Sequence, residues 1–343
     1  MDKQYVDNLV SKTVGKNNIA GAVIYLSSGD GSFNVISSAG NFQDDSKYYI
    51  ASINKLFMSS IILRLVTEDR IQLDNKFADF VSDDVISNLH FLNGKDYSKE
   101  ITLKQMISQT SGLPDYIEDK QKNGHIVMKD LEAGLDPAWP VEKVVEEVKK
   151  MNPHFPPGKS GKAKYSDTNH QLLELVIEKV TGKPNIQVLN SLFQELGMKD
   201  TYVVSDINDK NYVPVRYKEE EISISNFLSS TKNDIISTAR DQMIFIKAFF
   251  EGYFWPKERL DELEKWNKIF FPFEYGIGIQ KFSIPPVLTM FRKLPPLIGH
   301  AGSVGSIAFY VPKKDIYFTG TVNQQAKPGA IYQLMLEVIS KFK

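Results

Sequence analysis

The spacing of apolar residues changes period twice along this chain. KQYVDNLVSKTVGK repeats them at helical spacing and predicts a helix from about Lys3 to Lys16. AGAVIYLSS and SFNVISSAG, rich in β-branched residues and separated by Gly-Asp-Gly, predict an antiparallel hairpin. KYYIAS reads as a short strand feeding a strongly apolar helix from Asn54 to about Asp69. From there to about Trp266 the pattern is mostly helical, broken by proline- and glycine-rich loops such as SGLPDY and HFPPGKSGK. After Tyr275 it returns to strands in YGIGIQKF, LIGHAGSVGSIAFYVP and DIYFTGTVNQ, and a helix from about Gly329 to Lys341 follows.

Two β-rich ends around a helical middle predict an α/β protein of the α+β type. An antiparallel sheet is expected, flanked by the N- and C-terminal helices, with a mostly helical lobe inserted. The expected division is one catalytic domain of two lobes, residues 1–75 with 270–343 and residues 76–269, with a site in the cleft between them.

Composition narrows the function classes. Of the 343 residues 42% are hydrophobic, enough for a large core, and 41 basic against 42 acidic residues leave a net charge of −1. The two signs are interspersed, so no nucleic-acid partner is expected. No cysteine is present, which removes disulfides, thiol catalysis and thiolate metal sites. No apolar run approaches the ~18 residues of a membrane span. The amphipathic opening is not a charged-then-apolar leader, so the chain as written is expected in the cytoplasm, and export would require a leader upstream.

Several catalytic motifs are missing. There is no Gly-x-Ser-x-Gly elbow and no His-Glu-x-x-His. The histidines His90, His125, His154, His170 and His300 lack ligand spacing, so neither metal nor cofactor is expected. Gly158-Lys159-Ser160 lacks the upstream glycine of a phosphate loop, and Gly276-x-Gly278 lacks the third glycine of a dinucleotide site. Ser-x-x-Lys remains and occurs three times, at Ser52–Lys55, Ser229–Lys232 and Ser340–Lys343. Ser340 lies in the terminal tail, and Ser229 follows a polar stretch that reads as a loop before a helix. Ser52 alone stands where a strand-like run meets an apolar helix, where free N–H groups and the helix dipole favour developing negative charge. Lys55 falls on the same face one turn on, placed to take the serine proton if burial or a second cation lowers its pKa.

Two further triplets follow in order, Tyr165-Ser166-Asp167 and His300-Ala301-Gly302. Ser-x-x-Lys, Tyr-x-Asn and Lys/His-x-Gly, in that order, resemble the motif set of class C β-lactamases, D-alanyl-D-alanine carboxypeptidases, D-aminopeptidases and related esterases. ISQTSGLPDY, HFPPGKSGKAKYSDTNHQLLELV, LFQELGMKDTYV and HAGSVGSIAFYVP extend the resemblance over nearly the whole chain. It implies a β-lactamase/transpeptidase-like fold and an acyl-enzyme at Ser52, with Lys55 and Tyr165 sharing base and acid work. It further implies substrate contacts by Asp167, His300, Gly302 and Ser303, the Ser303 and Ser52 N–H groups forming an oxyanion hole. Two nearby cations would lower the Tyr165 phenol pKa. Asp167 replaces a common asparagine and only accepts hydrogen bonds when ionised. It also sets a carboxylate near Lys55, which would favour the ammonium and oppose its use as a base. His300 replaces the lysine of most β-lactamases and would pull on a substrate carboxylate weakly and in a pH-dependent way. Both departures tilt the expectation toward a peptidase or esterase acting on a small molecule or short peptide. The alternative is a catalytically silent sensor of peptidoglycan fragments. Asp115 and Tyr116 are expected to be surface loop residues.

Overall fold

The computed structural model describes residues 2–285 and 294–342. The β segments read at both ends of the chain assemble into one eight-stranded antiparallel sheet, extended by Asn267–Phe270 and Phe273–Tyr275, which lie before the expected return to strands. Its spatial order is Asn267–Phe270, Phe273–Tyr275, Gln280–Phe282, Leu297–Gly302, Ser306–Val311, Ile316–Thr321, Gly21–Ser28 and Asn34–Gly40. The strand Gly21–Ser28 closes the two ends together, because Tyr25 pairs with Thr319 on one side and with Ile36 on the other.

Strand alternation divides the side chains between two cores. Ala22, Ile24, Leu26, Ile307, Phe309 and Phe318 pack under the helices Lys3–Thr13 and Ala330–Lys341. Val23, Ala308 and Tyr317 face the larger core shared with the middle of the chain. Both faces are covered, which is why the inner strands read as nearly continuous apolar runs.

The middle segment is less purely helical than its pattern predicts. Tyr48–Tyr49, Ile235–Ser237 and Tyr202–Val203 form a three-stranded sheet, and Val215–Tyr217 pairs with Glu220–Ile222. These strands are only two or three residues long, too short for a period-2 signature. The helix Asn54–Thr67, expected in the sheet lobe, packs against Asp167–Thr181 and shares its apolar core, so a boundary at residue 75 divides elements buried together.

The helix Asp167–Thr181 also buries a carboxyl, Glu174, which accepts from Gln171 Nε2 at 2.9 Å. Burial pushes its pKa up to about 8. Below about pH 4.5 this carboxyl is neutral in both folded and unfolded chain. Between there and about pH 8 only the unfolded chain ionises, so stability falls as pH rises. Glu174→Gln is therefore expected to be more stable than the parent at pH 8 and to lose most of that advantage at pH 5, as read by urea denaturation at the two values.

Candidate active site

The strand Tyr48–Tyr49 leads into a single 3-10 turn, Ala51–Ile53, which runs directly into the helix Asn54–Thr67. Ala51 holds φ at 49°, a left-handed conformation that costs about 1 kcal/mol for a residue with a Cβ. The sheet pins this turn. Ser306 Oγ donates to the Ile50 carbonyl at 2.7 Å. Gly302 lies so close that a Cβ there would stand 2.6 Å from the Ile50 oxygen and 3.0 Å from the Ala51 Cβ. Glycine at 302 is thus demanded by the approach of its strand to the turn that carries Ser52.

Ser52 and Lys55 face the same way, one turn apart, as their spacing predicts. Lys55 Nζ donates to Ser52 Oγ at 3.1 Å and also to Asp167 Oδ1. The lysine side chain is only 3% exposed, so its charge is met by the Asp167 carboxylate rather than by water. Asp167 opens the helix Asp167–Thr181, whose start is fastened to the preceding loop. Ser166 Oγ and Thr168 Oγ1 both donate to the Pro114 carbonyl, at 2.9 and 2.7 Å. Tyr165 stands just before that start, its ring centroid 5.3 Å from Lys55 Nζ.

A cavity of about 500 Å³ opens over this group, lined by Ser52, Lys55, Tyr165, Asp167, Gly302 and Ser303. His300, expected there too, is not among its lining residues. It is 0% exposed, taking a hydrogen bond from the Tyr275 hydroxyl at Nε2 (3.1 Å) and donating from Nδ1 to the Ala301 carbonyl (2.8 Å). Those partners assign the Nδ1–H tautomer. Burial, with the Lys55 charge adding to it, lowers its pKa to about 3. His300 is therefore a neutral, satisfied strand histidine behind the site, and its expected pull on a substrate carboxylate is corrected.

The expectation for the Tyr165 phenol is also reversed. Burial and the Asp167 carboxylate push its pKa well up, and the Ser52 hydroxyl only partly opposes them. The resting phenol is neutral, a proton donor rather than a base. Asp115 and Tyr116, expected on the surface, are buried and line the cavity. Asp115 Oδ1 accepts from the Ile117 N–H at 2.9 Å, while Oδ2 is buried without a partner. Burial and the Asp167 charge raise the Asp115 pKa, which favours the neutral acid. Asp234 also lines the cavity and accepts from Tyr49 Oη and Thr231 Oγ1, each at 2.7 Å, and from Asn54 Nδ2 at 3.3 Å. It ties Asn54, the residue before Lys55, to the start of the strand Ile235–Ser237. No short pattern marks Asp234 or the burial of Asp115.

The second motif copy falls differently. Ser229 lies within the helix Ser225–Thr231 and Lys232 caps it in a left-handed conformation with φ at 57°, so the pair does not share a helical face. Among the described residues no group of three or more His, Asp or Glu could hold a metal ion, and no helix is long and apolar enough to cross a membrane.

Comparison with known proteins identifies the family and the fold. The family model described as Beta-lactamase matches residues 6–337. Protein flp of Staphylococcus aureus (strain MRSA252) is 28% identical over 229 residues, which are 63% of this chain and 41% of that protein. This chain thus spans well under half of that relative's length. Among solved structures, a D-stereospecific amidohydrolase from Streptomyces sp. superposes with a TM-score of 0.77 at 23% identity, over 100% of both chains. The D-amino acid amidase from Ochrobactrum anthropi SV3 also gives 0.77, at 20% identity over 98% of each chain.

Asp167→Ala is expected to destabilise the fold by about 3 to 5 kcal/mol, because it leaves the Lys55 charge buried without a counterion. Replacing both partners, as Lys55→Met with Asp167→Leu, should recover most of that loss. Urea denaturation of the three proteins checks the pair, and a double variant no more stable than Asp167→Ala would refute the ion-pair account.

Proposed function

This chain belongs to the beta-lactamase family, and from that premise we propose that it is a serine hydrolase acylated at Ser52 and acting on an amide or ester. The observation that carries the reading is the 3.1 Å contact of Lys55 Nζ with Ser52 Oγ, beside an open cavity and with Asp167 behind the lysine. The Ser52 proton passes to Lys55 Nζ as Lys55 yields a proton to Asp167. The freed oxygen then attacks the substrate carbonyl carbon. Charge on the carbonyl oxygen is held by the Ser52 and Ser303 N–H groups. Tyr165, neutral at rest, protonates the leaving nitrogen or oxygen as the tetrahedral species collapses; water then attacks the acyl carbon, its proton restoring the Tyr165 phenol, and the proton held on Asp167 returns through Lys55 to Ser52 Oγ as the acyl bond breaks.

The charges around the cavity support an amide or ester lacking a carboxylate. Two lysines line it, and each is already paired, Lys55 with Asp167 and Lys164 with Asp119 at 3.0 Å. His300 is neutral and out of reach. Among the described lining residues no unpaired cation awaits a carboxylate of the kind that penicillins and C-terminal peptides carry. The D-stereospecific amidohydrolase and the D-amino acid amidase of similar fold fit this selection. D-amino-acid amides and short esters are accordingly the proposed substrates, with β-lactams acylating slowly.

Ser52→Ala should lower turnover of a p-nitrophenyl ester and a D-amino-acid amide by at least about 10³-fold, with Lys55→Ala and Tyr165→Phe also severely reduced. Fluorophosphonate should label Ser52 in the parent and not in Ser52→Ala. A folded parent that neither turns over these substrates nor takes the label would favour the catalytically silent sensor instead.

A further inference from the structure

One wall of the cavity is apolar and aromatic, and its outermost member is Phe270. This residue ends the edge strand Asn267–Phe270, lines the cavity and is 52% exposed. It is not loosely placed. Its ring stands edge-on to Tyr165, centroids 6.2 Å apart at 80°, and edge-on to Phe273 at 5.3 Å. Phe273 is buried against Phe282 and Tyr332, at 5.2 and 5.7 Å. An aromatic row therefore runs from the core to the mouth of the site, and its last ring touches the proposed proton donor on one side and solvent on the other. Ile117, Met128 and Leu131 supply apolar surface elsewhere on the lining. An exposed ring held rigidly beside reactive groups is apolar area left available for a ligand.

We propose that Phe270 is a specificity-determining residue, selecting substrates that carry an aromatic or bulky aliphatic group beside the scissile bond. The inference rests on the hydrolase reading for its reaction and on the aromatic row for its selectivity. A group of that size stacks on the face of Phe270 that water now covers. Because the ring also adjoins Tyr165, substrate occupancy removes water from the neighbourhood of the phenol. A substrate with only a methyl group there leaves the ring wet and gains nothing from it.

The test compares p-nitrophenyl phenylacetate with p-nitrophenyl acetate on the parent, Phe270→Ala and Phe270→Leu. The ratio of the two kcat/KM values should fall roughly tenfold in Phe270→Ala and recover in Phe270→Leu. An unchanged ratio overturns the proposal. So does an equal loss for both esters, which would mean that Phe270 only supports Tyr165. A second measurement does not depend on turnover. In Ser52→Ala, phenylacetamide should bind more tightly than acetamide, and adding Phe270→Ala should remove about the same tenfold. If the parent fails to acylate while this binding preference stands, the hydrolase reading falls and the role of Phe270 survives. If acylation is seen without the preference, the reverse holds.

Discussion

The burial of the Lys55 ammonium is the constraint around which the centre of this molecule is arranged. An ammonium 3% exposed cannot stand alone in a protein interior, because desolvation costs several kcal/mol unless an opposite charge with good geometry offsets it. Asp167 supplies that charge, and it must arrive from another element. The consequence is structural. The helix Asp167–Thr181 has to start against the helix Asn54–Thr67, and the loop carrying Pro114 has to be fastened to that start. Asp115 and Tyr116 are drawn into the cavity wall by the same fastening. The sheet meets the constraint from the other side through Gly302 and Ser306, which hold the turn bearing Ser52 against the pair.

Around this ion pair several other titratable groups are driven toward their neutral forms. Burial lowers the pKa of His170 and His300 and raises that of Tyr165, Asp115, Glu118 and Tyr275. The Asp167 charge adds to the rise for Tyr165, Asp115 and Glu118, while the Lys55 charge adds to the fall for the two histidines. Lys55 and Asp167 are thus bordered by neutral donors and acceptors, while the Lys164–Asp119 pair and Asp234, whose pKa burial raises only to about 6, keep further charge on the lining. A low-dielectric setting of that kind strengthens the field along the Ser52–Lys55–Asp167 line, where the proposed proton transfers occur.

The longer strands of the sheet, its flanking helices and the Ser52–Lys55 pair were legible in the sequence because each leaves a local trace. Strands of six or more residues leave long apolar, β-branched runs, and a serine and lysine three apart at a helix start share a face. Tyr165 and Asp167 were readable only through their order in a family motif set. What escaped was fixed by distant partners. Asp115 reads as a loop residue because nothing nearby in sequence shows that Ser166 and Thr168 hold its loop inward. Asp234 escaped because its partners Tyr49 and Asn54 lie about 180 residues away. His300 misled for a related reason. A motif fixes its place on the strand but not what faces it, and the Tyr275 hydroxyl that occupies its Nε2 comes from a different strand.

That misreading of His300 bears on how specificity arises in this fold. Where a cation takes up a substrate carboxylate, recognition is electrostatic and tolerates varied shapes. Here the corresponding strand position is neutral and closed off, and both lining lysines are paired. Discrimination then falls to the apolar part of the lining, where affinity grows with area and contact geometry rather than with charge. Such a site should be less sensitive to ionic strength than one built on a free cation, since its central pair is shielded from salt and its selective contacts carry no charge. The mouth of the cavity, with its exposed aromatic ring against Tyr165, is where sequence change would redirect the proposed substrate choice without disturbing the buried pair that holds Ser52 and Tyr165 in place.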